Sequence, residues 1–122
     1  MNILIIDDDV FQQKTLGFHL SSAGHKVLIA ANGQEAIDQI AKDNDIDLIV
    51  CDVMMPVLTG PSFLLMLKRY FTGRFPKIIV ISGVKDGEEF LNKIEIPHDH
   101  FFRKPIDYDA FNRTISEVAA MA

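Results

Sequence analysis

The stretch Asn2-Ile3-Leu4-Ile5-Ile6-Asp7-Asp8-Asp9 carries the decision about the fold. An apolar run ends abruptly in three consecutive carboxylates. The run is short and mostly β-branched, which suits a buried strand better than a helix. The three acids repel one another, and the end of a strand has no structural need of them. Two readings stand side by side here: a solvated turn, where aspartate is common, or a cation site.

Four similar runs follow, at 27–30, 48–51, 78–81 and, more weakly, 100–102. Between and after them lie segments of helical length at 10–23, 33–42, 61–71, about 86–94 and 107–121. Gly24 suits the position just past the first helix, where a left-handed residue closes the last turn. Asn32 suits the N-cap of the second helix and Pro61 the first turn of the third. Asp107 caps the fifth. The fourth is expected to be short or irregular, because Gly87 opens it and Pro97 follows closely. Five strand–helix repeats imply right-handed crossovers on one parallel sheet covered on both faces.

Composition removes several classes. The chain has 122 residues, which is the size of one domain. Its single cysteine, Cys51, excludes an internal disulfide framework and a cysteine-based zinc site. The apolar runs fall far short of the ~20 residues of a membrane span. No basic segment precedes the first apolar run, so no secretory signal is visible. A net charge of −5 argues against broad nucleic-acid binding, which needs a basic footprint. A reducing, cytoplasmic setting without membrane attachment is expected.

In an open sheet of this kind, ligands bind at the carboxyl ends of the strands. The polar residues immediately after the strands are Asp7, Asp8 and Asp9, then Asp52, Ser82 and Lys104. Carboxylates, a hydroxyl and an ammonium therefore converge on one edge. Asp7, Asp8 and Asp52 offer only oxygen ligands, which suit Mg2+. Softer metals prefer His or Cys, and neither stands in that place. Cys51 precedes Asp52 and points to the opposite side of the strand. It reads as a small buried apolar residue. A carboxylate beside Mg2+ can act as a nucleophile and form an aspartyl phosphate. A lysine and a hydroxyl suit the oxygens of the transferring group.

Taken together, Ile3-Leu4-Ile5-Ile6-Asp7-Asp8-Asp9, Asp47-Leu48-Ile49-Val50-Cys51-Asp52-Val53-Met54-Met55-Pro56 with Gly60, Ile81-Ser82-Gly83 and Lys104-Pro105 resemble a response-regulator receiver domain of two-component signalling, of the chemotaxis-regulator type. The resemblance runs from Asn2 to about Ala119 and implies one receiver domain over residues 1–122. It implies a (βα)5 α/β fold: a doubly wound, five-stranded parallel sheet with the flavodoxin-like order 2-1-3-4-5. By the same resemblance Asp52 is the phosphoacceptor. Asp7, Asp8 and Asp52 hold Mg2+, joined by the backbone carbonyl of Met54. Ser82 and Lys104 bind the phosphoryl group. Ser82 and Phe101 form the switch, which remodels the surface of the fourth helix, fifth strand and fifth helix. A histidine kinase or histidine phosphotransfer protein is the implied donor, and small acyl phosphates also serve.

The sequence departs from the family's pattern in places. Phe101 replaces the frequent Tyr, so no hydroxyl is available after switching. Gly83 replaces a frequent alanine and frees the backbone at the pivoting loop. The segment 92–99 lacks the usual Gly-Ala approach to the fifth strand, which leaves the output surface open. Met54 and Val84 occupy the two positions expected to tune phosphoryl lifetime. Neither side chain can orient an attacking water, so slow self-dephosphorylation is expected.

The first helix poses a separate question. Leu16, Leu20 and Ala23 share the face assigned to the core. Phe11 and Phe18 share another face, roughly 145° away at ~100° per residue. They either pack at the helix margins or form an exposed pair that docks the phosphodonor or a second copy of the chain. His98 and His100 flank Asp99 and read as surface residues rather than metal ligands. His19 and His25 read as ordinary helix and loop residues. No glycine-rich phosphate loop is present.

Three function classes remain. The first is a phosphorylation switch that acts by binding rather than turnover. The second is an enzyme, an Asp-nucleophile phosphatase of the haloacid-dehalogenase type. Met54 stands where such enzymes place a second aspartate, which counts against it. The third is a pseudo-receiver that binds partners without phosphorylation, against which the full residue set counts. The switch is the expected function. The receiver occupies the whole chain, so the output is expected in a partner or in a domain outside it.

Overall fold

Ile3, Leu4, Ile5 and Ile6 are all fully buried. A strand achieves this only when both faces of its sheet are covered. The computed structural model describes residues 1–42, 45–52, 76–83 and 99–121. Its elements are β1 (Asn2–Ile6), α1 (Val10–Ser22), β2 (Lys26–Ala30), α2 (Gly33–Lys42), β3 (Leu48–Asp52), β4 (Lys77–Ser82), β5 (His100–Arg103) and α3 (Tyr108–Met121). The predicted helices at 61–71 and about 86–94 lie outside the described residues.

The strands form one parallel sheet in the order β2-β1-β3-β4-β5, as predicted. Alternation along each central strand divides the core in two. Leu4 and Ile6 join Ile49, Cys51, Ile78 and Val80 beneath Ala36, Ile37 and Ile40 of α2. Ile3 and Ile5 join Leu48, Val50, Ile79 and Ile81 beneath Leu16 and Leu20 of α1 and Phe111, Ile115 and Val118 of α3. Each such aliphatic side chain contributes ~1.5–3 kcal/mol by leaving water.

The edge strands depart from the expectation of uniform burial. In β2 Lys26 and Ile29 are exposed, Val27 and Leu28 half-buried and only Ala30 buried, while β5 is half-buried up to the exposed Arg103. An edge strand has a neighbour on one side only, so less of it is covered.

Caps follow their chemistry. Asn32 Oδ1 accepts from Glu35 N–H at 2.9 Å, and Glu35 Oε2 accepts in return from Ala31 N–H at 3.2 Å. This reciprocal arrangement satisfies two otherwise orphaned donors at the start of α2. Asp107 Oδ1 accepts from Asp109 and Ala110 N–H groups at 3.1 and 3.3 Å. Gly24, with φ of +92°, closes α1 in the left-handed region. One core assignment fails: Ala23 is exposed. α1 ends at Ser22, and Ala23 is its C-cap, turned away from the Leu16 and Leu20 stripe. Among the described residues no helix is long and apolar enough to cross a membrane.

Candidate functional site

The carboxyl ends of β1, β3, β4 and β5 lie side by side. The strand order reverses between β1 and β3, the position at which open α/β sheets bind ligands. Asp7 follows β1, Asp52 ends β3, Ser82 ends β4 and Lys104 follows β5. Each places a polar group at the same edge because each strand stops at the same level. Asp52 pairs with Ile81, and Ser82 pairs with Arg103. The Lys104 N–H donates to Ser82 O at 2.9 Å, which fixes β5 to β4 beside the site. The Lys104–Pro105 peptide bond is cis.

Asp7, Asp8 and Asp52 bring one carboxylate oxygen each within 4.8 Å of one another. Asp7 is 1% exposed and Asp52 4% exposed, whereas Asp8 faces solvent. A hard divalent cation fits this set: every donor is a carboxylate oxygen, and one edge opens to water. Burial, reinforced by the neighbouring Asp52 and Asp8 charges, pushes the Asp7 carboxyl up to about 6, against the lowering effect of the Asp9 N–H. Lys104 Nζ donates to Asp52 Oδ2 at 2.7 Å. Burial alone would lower the Lys104 ammonium, but its bond to Asp52 and the charges of Asp52 and Asp7 outweigh it and raise it overall. Ser82 is fully buried beside them.

Asp9, the third member of the triplet, does something else. Its Oδ1 accepts from Phe11 and Gln12 N–H groups at 2.9 and 3.3 Å, which makes it the N-cap of α1. The triplet therefore divides, Asp7 and Asp8 joining Asp52 in the acidic cluster while Asp9 caps the helix. Asp9→Ala is expected to cost ~1 kcal/mol of stability, as for other lost N-caps. Mg2+ affinity should fall much less than on substitution of Asp7. Paired melting and Mg2+ titration measure both, and an equal loss of affinity would overturn the division of roles.

Phe101 is half-buried against the Leu4–Val80 side of the core. Cys51 is fully buried there, and burial pushes its thiol upward, so it is inert as expected. Phe11 and Phe18 are 77% and 70% exposed, which excludes packing at the helix margins. Met54, Val84 and His98 lie outside the described residues. His100 belongs to none of the acid and histidine clusters that, among the described residues, have metal-binding geometry.

Two contacts escaped the sequence reading. Gln13 Nε2 donates to Asp7 O at 2.6 Å. His19 stacks on Tyr108 at a ring separation of 4.2 Å, joining α1 to α3. A glutamine or histidine on a helix is compositionally ordinary, and its partner appears only once the elements are packed.

The fold and its acidic edge define a doubly wound α/β protein with a cation-type cluster at its switch point. The sequence pattern of the response regulator receiver domain matches residues 3–116. The response regulator MprA of Mycobacterium avium is 35% identical over 105 residues, covering 86% of this chain and 45% of that protein. The N-terminal domain of an uncharacterized protein from Wolinella succinogenes is 28% identical with a TM-score of 0.87, covering 99% of this chain and 95% of that one. The Vibrio cholerae chemotaxis protein CheY4 is 25% identical with a TM-score of 0.81, covering 96% and 97%. The chain belongs to the response-regulator receiver domain family, the receiver module of two-component signalling. It spans 15% to 45% of the length of the first curated relatives it matches.

Proposed function

We propose that this chain, residues 1–122 taken as one receiver domain, is a phosphorylation switch that takes a phosphoryl group on Asp52. The observation that carries this reading is the Asp7, Asp8 and Asp52 cluster with Lys104 Nζ 2.7 Å from Asp52 Oδ2. Asp7, Asp8, Asp52 and the Met54 carbonyl would hold a Mg2+ ion, which would supply neutralising charge there. An Asp52 carboxylate oxygen attacks the phosphorus of a phosphohistidine or acyl phosphate. The bond from phosphorus to the donor breaks, and its electron pair leaves with the donor. Lys104 exchanges its contact with Asp52 for an oxygen of the transferred group, offering a mobile point charge. The Ser82 hydroxyl donates to another oxygen.

The response is a shift of Ser82 and Phe101 that alters the surface of the predicted fourth helix, β5 and α3. A phosphoryl group biases that equilibrium only through its different contacts in the two states. The chain thus acts by binding rather than turnover, within the cytoplasm. Its donor is a histidine kinase or histidine phosphotransfer protein, and its output is a separate partner or a further domain. The exposed Phe11 and Phe18 fit a docking face for that donor or for a second copy. Contact with nucleic acid or membrane is not part of this reading.

Incubation with acetyl phosphate and Mg2+, followed by intact-mass measurement, tests it. A gain of one phosphoryl group is expected, and no gain would favour the pseudo-receiver. The lifetime of that group is a further expectation. With Met54 and Val84 unable to position water, decay is slow. Asn at position 54 together with Glu at 84 should accelerate it, and unchanged decay would remove the idea.

A further inference from the structure

We infer that Gln13 is a positioning residue for the acidic cluster, an inference that rests on reading that cluster as a Mg2+ site. Asp7 is held at three points. Its N–H donates to Ala30 O at 3.0 Å, at the end of β2. Its Oδ1 accepts from the Asp9 N–H at 2.9 Å. Its carbonyl oxygen accepts from Gln13 Nε2 at 2.6 Å. The third tie differs from the others in origin. It comes from one turn inside α1, a helix anchored to the sheet through fully buried Leu16 and Leu20.

The helix is also fixed to the loop at its start. Gln13 N–H donates to Asp9 O at 2.9 Å, and the Asp9 side chain caps the same turn. Gln13 therefore links the backbone of a carboxylate-bearing residue to a rigid element. Asp7 is 1% exposed, so water has little access to its carbonyl as a substitute donor. Without the side-chain amide, the peptide after Asp7 is free to rotate, and the Asp7 and Asp8 carboxylates lose their common aim. Partners that orient metal ligands typically change affinity ~10–100-fold. The tie here acts on the ligand's backbone, so the lower end, about tenfold, is expected.

The test is a titration of 15N-labelled protein with MgCl2 at neutral pH, read from backbone amide shifts, with thermal unfolding in EDTA alongside. Gln13→Met removes the donor at similar length and should weaken Mg2+ binding about tenfold. Gln13→Glu also removes the donor but adds negative charge, and it too should weaken binding. Gln13→Arg keeps an N–H donor and should bind as the parent does. Parental affinity in Gln13→Met, or tighter binding in Gln13→Glu, would overturn the role, the latter by showing that charge alone governs. If Gln13→Met does not fold, the Glu and Arg variants decide on the same criteria. A parent that binds no Mg2+ would instead overturn the reading of the site, and the role of Gln13 with it.

Discussion

Asp52→Asn is expected to abolish the phosphoryl gain from acetyl phosphate and Mg2+ that the proposed function expects of the parent. The amide is neutral and a poor nucleophile, so the bond to phosphorus does not form. It also removes one of the three carboxylates that lie within 4.8 Å of one another. The fold should survive. Asp52 is only 4% exposed, but its partner Lys104 keeps a 32% exposed side chain and can be solvated when the pair is lost. Removing a charge also relieves repulsion on Asp7, whose carboxyl is raised partly by Asp52. Intact mass and a melting curve on the same sample measure both outcomes. A phosphoryl gain that persists in the Asn variant would move the acceptor to another residue.

The second large effect concerns Asp7 and pH. Its carboxyl lies at about 6 in the folded chain, against an ordinary 3.8. Between those values the native chain holds a proton that the unfolded chain has released. Stability carried by this group is therefore lost as pH rises from about 4 to about 6 and is flat beyond, in the absence of metal. Mg2+ needs the ionised form, so its affinity should rise across the same interval. Asp7→Asn should flatten this part of the stability profile and raise stability above pH 6. It should also weaken Mg2+ binding by about 100-fold or more, since loss even of an outer partner costs ~10–100-fold. Denaturant midpoints from pH 4 to 8, with and without Mg2+, distinguish these effects. An unchanged difference between parent and variant across the range would show that Asp7 is not the titrating group.

Much of this is legible in the sequence, because it depends on short-range pattern. The length and β-branching of each apolar run mark a strand, and the first polar residue after it marks the edge that faces ligand. That places Asp7, Asp52, Ser82 and Lys104 in one row without knowledge of a single distance. Asn32 and Asp107 were readable as caps because capping is decided within four residues. Burial of β2 and β5 was overstated, since an edge strand has the same composition as a central one.

What the sequence by itself determined is the five strands, the helices at 10–23, 33–42 and 107–121, and the residue types at the sheet's carboxyl edge. Local propensity and periodicity suffice for that, whereas the order of the strands came from the family resemblance. What only the tertiary structure decided is where individual side chains point. Three adjacent aspartates are equivalent in sequence, yet Asp7 and Asp8 turn to Asp52 while Asp9 turns to the backbone of α1. Phe11 and Phe18 were ambiguous until the phase of α1 on the sheet placed Leu16 and Leu20 inward. Gln13 gained a role only when the first turn of α1 came to rest against the Asp7 carbonyl. Direction depends on the dihedral angles of a turn and on the rotation of a helix about its axis. Packing sets both, across residues far apart in the chain.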